Sequence, residues 1–522
     1  MSRTTLFFFA MALSACGSRS GLYIPNPPPY EPDPGDVECF ETDDCPGKKD
    51  PCGPQRCLSG KCVAQPGLVC ADDDPCTNDR CDSTVGACVF EPVTLDLDGD
   101  GHRAPRPGTK PGDPDSCGDD CDDTSALAFP GPGSIELCDG NDNDCNGIID
   151  DNSVYVLSND DPTRVSENSL THASASGIAF ASETLGYIAT YAGESSSGDT
   201  DVYAHHLDGL GNPAASSSTI NATSGDASGG AIVWTGDRYG VAWQDRRSGN
   251  YEIYFNTLGP DGAKLGPDVQ LTQSDDFSIN PTIAWNGNDF YVAYEDRRSG
   301  EFMVYGRRID LEGKNPGEER LLAGGFDPSE SPAIAADSTT VAIAYYSGTP
   351  FSSSIKVKTF NPDLSPISDE ISLGGGDVGP PSISRNGPDY AVVWGEKTPF
   401  AIFGAVVSRD GSFVAERTQL SEDGGFNRYP TVTGLGDRIA VAYAREEDAP
   451  NADYNIYFRT FSKTLTPLGN AVPIVARVGL DRPTMTTLGP QGDIAVLFEG
   501  DVASPEGTQR AVFFSRMTCS AQ

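Results

Sequence analysis

After about residue 160 the chain repeats itself with a period near fifty residues, and this constrains the fold more than any other feature. The first strand of each unit is anchored at Ile178, Ile232, Ile283, Ile334, Ile383, Val432 and Met485, separated by 54, 51, 51, 49, 49 and 53 residues. The clearest pair is Ala231 to Trp243 and Thr282 to Tyr294, each a β-rich run, a polar Gly turn and a second run. A third run follows, as in Glu252 to Phe255, Met303 to Gly306 and Asn455 to Phe458, and then a short fourth such as Val269 to Thr272 or Thr418 to Ser421. Four strands per unit at this period is the blade of a β-propeller, so the expected fold is all-β with seven blades over residues 153–522.

The seventh unit supplies its second and third strands at Ile494 to Phe498 and Arg510 to Phe514, and then the sequence stops without a fourth. A matching run, Thr163-Arg164-Val165-Ser166, stands upstream of the first anchor. Residues 162–167 are therefore expected to pair with the last blade and remove the open sheet edges.

Of the 522 residues 36 are Lys or Arg and 76 are Asp or Glu, a net charge of −40. Such a chain repels a phosphate backbone, so nucleic acid is excluded as an expected partner. The charge is uneven. Residues 31–152 hold 29 acidic and 8 basic residues, with thirteen of the fifteen cysteines.

At the N-terminus Arg3 precedes a short apolar run, Leu6 to Leu13, and then Leu13-Ser14-Ala15-Cys16. This run is too short to span a bilayer. Leu-Ser-Ala-Cys resembles the lipobox of bacterial lipoproteins. The resemblance implies a signal peptide over residues 1–15, lipidation of Cys16 and a lipid anchor in the cell envelope, at the outer membrane, facing either the periplasm or the exterior. A monomer is expected. Residues 16–37, with Pro25 to Pro29 and Pro32 to Pro34, read as an extended tether.

In the module of residues 38–90, nine cysteines fall at 39, 45, 52, 57, 62, 70, 76, 81 and 88, with almost no aliphatic residues among them. Crosslinks must replace a core here. There is no His and no paired Cys-x-x-Cys, which argues against zinc. Nine is odd, so one cysteine pairs outside the block, with Cys519 a candidate. Cys70 to Cys81, closing at Cys88, resembles the Cys-Thr-x-Asp-x-Cys repeats of slime-mould matrix proteins and myxobacterial surface proteins, which implies an extracellular module.

Residues 91–152 are the strongest chemical signal, with 16 acidic and 3 basic residues between Glu91 and Asp151. Asp96, Asp98 and Asp100 stand at positions 1, 3 and 5 of a calcium loop, with Gly101 at 6 and the His102 carbonyl at 7. A second loop places Asp142, Asp144 and Asn146 at 1, 3 and 5, Gly147 at 6, the Ile148 carbonyl at 7 and Asp150 at 9. Pro107 and Ser153 stand where each loop should close with Glu, so other carboxylates, from Asp119, Asp120, Asp122 or Asp123, are expected to complete the shells. Hard oxygen donors select Ca²⁺. The bland alternative is a solvated acidic spacer. The wider pattern from Cys117 to Gly147 resembles the MopE-type metal-binding repeat of myxobacterial surface proteins. In the name-giving member the metal is copper, but with one nearby His and cysteines expected in disulfides, copper is not the expected ion here.

Chemistry on the repeat itself is thin. Gly225 to Gly230 approaches a trypsin-like Gly-Asp-Ser-Gly-Gly but is interrupted by Ala227, and Ser408 to Phe413 approaches a sialidase Asp-box but is one residue short. Asp245-Arg246-Arg247-Ser248-Gly249 recurs as Asp296-Arg297-Arg298-Ser299-Gly300. These arginines are either a cluster for a carboxylate ligand or, as a repeat feature favours, local structural pairs. With no catalytic constellation found, the expected function is a non-catalytic envelope lipoprotein whose calcium-binding stalk presents a propeller that binds a protein or glycan. The alternative is a sialidase-like glycoside hydrolase or lyase acting on extracellular polysaccharide, for which Glu396, Glu446 and Glu447 are the nearest carboxylates.

Overall fold

The computed structural model describes residues 38–47, 49–50, 52–131, 134, 142–147, 153–157, 162–221, 225–325, 327–349, 352–436, 438–446, 454–476, 483–488, 493–504 and 507–521. Cys16, Cys138, Ile148, Asp150 and Glu447, together with residues 1–37, where a signal peptide and tether are expected, lie outside these residues. The chain forms two compact units, residues 1–95 with 103–118, and residues 96–102 with 119–522.

The first unit has two small hairpins, Gln55–Leu58 with Lys61–Ala64 and Thr77–Asp82 with Ala87–Pro92. The first hairpin turns on Ser59 and Gly60, both at positive φ as a two-residue turn of matching twist requires. Phe40, Val69 and Val85 are exposed, so crosslinks hold this unit in place of an apolar core. Five disulfides do so, Cys39–Cys57, Cys45–Cys62, Cys52–Cys81, Cys70–Cys88 and Cys76–Cys117. The odd cysteine of the block is thus Cys76, and its partner is Cys117, not Cys519. The reason is reach: Cys117 lies 41 residues away, with a Cα separation of 5.1 Å.

The second unit is all-β. Five successive four-stranded antiparallel sheets begin at Ala227, Ser278, Ser329, Ser382 and Phe426, each a meander in chain order. A sixth, nine-stranded sheet joins the two ends of this unit. Its strands His172–Ser182, Gly186–Glu194, Thr200–Leu207 and Ser218–Thr219 form one meander, and Thr484–Leu488, Asp493–Ser504 and Gly507–Ala521 form another. Thr163–Arg164 lies against the last strand, with Arg164 opposite Phe513 and Thr163 opposite Phe514. Val165 and Ser166 extend the contact through the backbone of Val512. An additional strand that the repeat did not suggest, Ser153–Leu157, pairs with Met517 to Ala521.

Seven apolar clusters hold neighbouring strand groups face to face. One mixes Ile178, Tyr187, Tyr191 and Val165 with Ala495, Leu497, Val512 and Phe514, so the first and last meanders pack on each other. The second strand of each meander carries an aromatic at the same place: Tyr191, Trp243, Tyr294, Tyr345, Trp394, Tyr443 and Phe498, each at most 1% exposed. Among the described residues four first strands carry a bulge whose residue has positive φ, at Gly229 and at the non-glycine Asn280, Ser331 and Tyr429. Each of these last three is followed by proline, which lacks the N–H that a ladder needs and suits a bulge.

Removal of residues 153–166 bares the edge of Gly507–Ala521 and uncovers the pocket that buries Val165. The expected outcome is a melting temperature lower by roughly 5 °C or more and growth of soluble aggregates on light scattering. Unchanged melting with a monodisperse protein contradicts this account of the edge.

Candidate metal centre and the repeated arginine corners

The loop from Asp96 to His102 is shaped by its own carboxylates. Asp96 accepts from the N–H of Gly99 at 2.7 Å and of Gly101 at 3.1 Å, Asp98 from Asp100 at 3.2 Å, and Asp100 from His102 at 2.7 Å. Gly99 and Gly101 have φ of 86° and 100°, which the tight winding demands. Asp96 thereby uses both oxygens, and Asp98 and Asp100 use Oδ1. Ligand oxygens of Asp98, Asp100 and Asp120 lie within 4.8 Å of one another, as do those of Asp96, Asp98 and Asp123, so Asp98 belongs to both groups.

Asp120 is the telling residue. It is fully buried, its Oδ1 accepts from the N–H of Asp122 at 2.8 Å, and its Oδ2 has no hydrogen-bond partner. Asp98 Oδ2 and Asp100 Oδ2 are also buried without partners. Burial, and then the charges of Asp100, Asp98 and Asp123, push the Asp120 carboxyl up to about 6. In metal-free protein the stability this group contributes is complete below its unfolded pKa of about 3.9 and is lost as pH rises through about 6. A cation among these oxygens reverses that preference.

Among the four carboxylates expected to complete the shell, Asp120 and Asp123 face the loop. Asp119 instead meets His102 Nδ1 at 3.1 Å, and Asp122 accepts from Thr124 Oγ1 at 2.6 Å. The hydrogen bond to Asp119 raises the His102 pKa, and the ring stacks on Phe129 at 5.4 Å. In the second loop Asp142 accepts from Asn146 at 3.0 Å and Gly147 at 2.7 Å, and Asp144 from Asn146 at 3.1 Å. Its remaining expected ligands, Ile148 and Asp150, are not among the described residues. Cys121–Cys145 braces this loop. Cys117, Cys121 and Cys145 are oxidised and His102 is engaged by a carboxylate, so the described donors are oxygen, which fits a hard divalent cation.

The arginines of the repeated Asp-Arg-Arg-Ser-Gly corner are all paired locally. Arg247 bonds to Asp245, meets Asp268 at 2.7 Å and lies 4.4 Å over the Tyr254 ring. Arg298 repeats this with Asp296, Glu319 and the ring of Tyr305 at 4.5 Å. Both inner aspartate side chains are fully buried. Arg246 reaches Asp226 at 3.6 Å and Arg297 reaches Asp276 at 3.3 Å. Glu396 occupies a related corner, receiving Trp394 Nε1 at 3.0 Å and Arg417 through two bonds of 3.1 and 2.8 Å. That carboxylate is a structural partner. The sequence did not reveal Arg417 or Glu319 as partners, because they stand 21 residues on, Arg417 in a fourth strand and Glu319 just before one.

Arg298→Ala leaves Asp296 buried beside Ser278 without its guanidinium. A loss of about 2–3 kcal/mol in denaturant unfolding is expected. Undiminished stability would instead mark Arg298 as available to a ligand.

Comparison with known proteins adds one motif. The family model Cu-binding_MopE, described as "Putative metal-binding motif", matches residues 120–151. The match takes in the second loop and Asp120 but leaves the first loop outside. No curated protein matches the chain. Among solved structures, the polysaccharide lyase Uly1 is similar at 9% identity and a TM-score of 0.43, covering 70% of this chain and 94% of that one. A neuraminidase-like protein of a flat-faced bat isolate is similar at 11% identity and a TM-score of 0.38, covering 70% and 93%. One of two prolyl endopeptidases is similar at 12% identity and a TM-score of 0.40, over 68% of this chain and 51% of that one.

Proposed function

We propose that this protein is a lipid-anchored, non-catalytic component of the cell envelope, in which a calcium-binding acidic segment accompanies a seven-bladed propeller that binds a glycan or protein ligand. The observation that carries the metal reading is that Asp98, Asp100 and Asp120 each bring an oxygen within 4.8 Å of the others while each keeps a buried Oδ2 without a partner. Buried carboxylates without a donor or cation are costly, and a cation removes that cost. Asp98, Asp100 and Asp120 would hold one ion, and Asp96 and Asp123 would share Asp98 for another. The bound ion supplies positive charge that neutralises the mutual repulsion of the loop. Calcium is favoured over the copper in the matched family's name because the described donors are all oxygen.

Seven anchors in sequence, seven apolar clusters and the packing of the first meander on the last support a closed ring of seven blades. Thr163–Arg164 supplies the fourth strand of the last blade in this reading. The domain limits 38–90, 91–152 and 153–522 belong to the same proposal. The absence of catalysis is favoured because Glu396 is bound to Arg417, and a glycosidase needs a pair of available carboxylates.

Calorimetric titration of the full chain should give Ca²⁺ binding that raises the melting temperature and is weakened by about tenfold or more in Asp120→Asn. No heat with millimolar Ca²⁺, or tighter binding of Cu²⁺ than of Ca²⁺, overturns the assignment.

The same titration across pH has a set sign. Calcium affinity should rise steeply as pH climbs from about 4 to about 6, where Asp120 ionises, and level off above it. A flat profile over that range places the ion elsewhere.

A further inference from the structure

The second strands follow their shared buried aromatic with a residue that faces the first strand of the next sheet. In three places this residue is a long acceptor holding the neighbour's backbone. Gln244 accepts from the N–H of Asn280 at 2.7 Å, Glu295 from Ser331 at 2.6 Å, and Glu499 from Ala175 at 3.2 Å. After Tyr191, Tyr345 and Tyr443 the same place holds Ala192, Tyr346 and Ala444, and after Trp394 it holds Gly395, which brings no side chain at all. A cavity of about 380 Å³ lies there, between the sheets that begin at Ser382 and Phe426. It is open because Gly395 leaves it open. A Cβ on Gly395 would meet nothing nearer than Ile402 Cδ1 at 3.8 Å.

The lining is specific in its chemistry. Pro380, Pro381 and Pro430 with the rings of Phe400 and Tyr429 give flat apolar walls, and of the charged residues in the lining Glu396 is held by Arg417, Lys397 by Asp377 at 2.7 Å, and Arg428 lies 5.3 Å over the Phe400 ring. Asn427 lines the same cavity at 1% exposure, where the sister strands have Ser278 and Ser329. Its Nδ2 donates to the carbonyls of Phe400 at 3.0 Å and Gly424 at 3.2 Å, which fixes the amide so that Oδ1 can only accept. That Oδ1 is buried with no partner. An orphaned buried acceptor costs about 1–3 kcal/mol, which a ligand recovers by donating to it. The occupant must therefore combine apolar flat faces with an O–H or N–H donor. A carboxylate or phosphate group cannot supply that bond.

We propose that this cavity is the ligand site of the propeller and that it takes a neutral pyranose unit of a glycan. A pyranose presents C–H faces to prolines and aromatic rings and a rim of hydroxyl donors to Asn427. The volume falls within the range of about 300–1,000 Å³ typical of small-molecule sites with mostly apolar walls and few polar groups. This inference rests on the ligand-binding reading of the propeller given above and names its site and ligand class.

The test is a glycan array of neutral and acidic oligosaccharides with a proline-rich decapeptide as control, probed with the full chain and followed by calorimetry on the strongest glycan. Gly395→Gln copies the Gln244 of a sister sheet into a place where a Cβ meets nothing nearer than 3.8 Å, so it should fold normally while weakening glycan binding by about tenfold or more. Phe400→Ala, which removes one wall, should weaken binding by about fivefold or more. Binding of neutral glycans that both variants lose, with unchanged melting, is the expected result. Glycan binding that both variants retain overturns this site and leaves the ligand-binding reading standing. Preference for the peptide or for acidic glycans overturns the ligand class, and no binding by the unaltered chain to any probe overturns both readings.

Discussion

The structure depends on how its two chain ends meet. Each four-stranded meander is apolar on both faces and is satisfied only by neighbours, so a row of such sheets leaves two uncovered faces and two bare edges. Here the last strand, Gly507–Ala521, is flanked by Asp493–Ser504 on one side and by residues from 153–166 on the other. Glu499 reaches Ser174 Oγ at 2.6 Å and the Ala175 amide, repeating across this junction the acceptor-to-backbone bond that Gln244 and Glu295 make between sequential sheets. The junction is thus built from the same parts as the others. Its contacts span more than 320 residues, which makes it the most non-local and entropically demanding step of assembly.

Once neighbours are fixed in this way, polar groups at the repeat become determinate. Buried Asp245 and Asp296 sit beside fully buried Trp243 and Tyr294, and each is acceptable only because an arginine two residues on folds back over it. Where the partner arginine is absent from that position, the repeat recruits another. Glu396 is held by Arg417 and Glu370 by Lys356. The identity of each pair drifts while an acid and a base still meet there, as expected of a device that stabilises a fold.

Much of the fold was legible because its determinants are local and periodic. The anchors Ile178 to Met485 repeat at nearly constant spacing, and alternation with Gly turns marks each strand. The upstream run at Thr163 was legible by the same logic, since a missing fourth strand leaves a countable gap. Ser153–Leu157 was not, because it belongs to no repeat and pairs only with the overlong end of the last strand. The pairing of Cys76 with Cys117 escaped for a related reason, since parity says that one cysteine leaves the block but not which partner the folded chain brings within 5.1 Å.

The two candidate sites differ in how sequence could reveal them. The acidic loop declares itself through the one-three-five spacing of Asp96, Asp98 and Asp100, because the loop is local and its carboxylates must wind around one point. The carboxylates that the fold groups with it, Asp120 and Asp123, lie some twenty residues further on and are brought there, rather than Asp119 and Asp122, by three-dimensional packing alone. The cavity beside Gly395 has no motif at all. It is visible only in the fold, at a glycine where three aligned units carry Gln or Glu and at an asparagine where two carry Ser, and those differences have meaning only once the other interfaces show what the longer side chains do. In a repeat protein the framework is what recurs, so a site is sought where one unit omits the side chain that its sisters use to fill the gap.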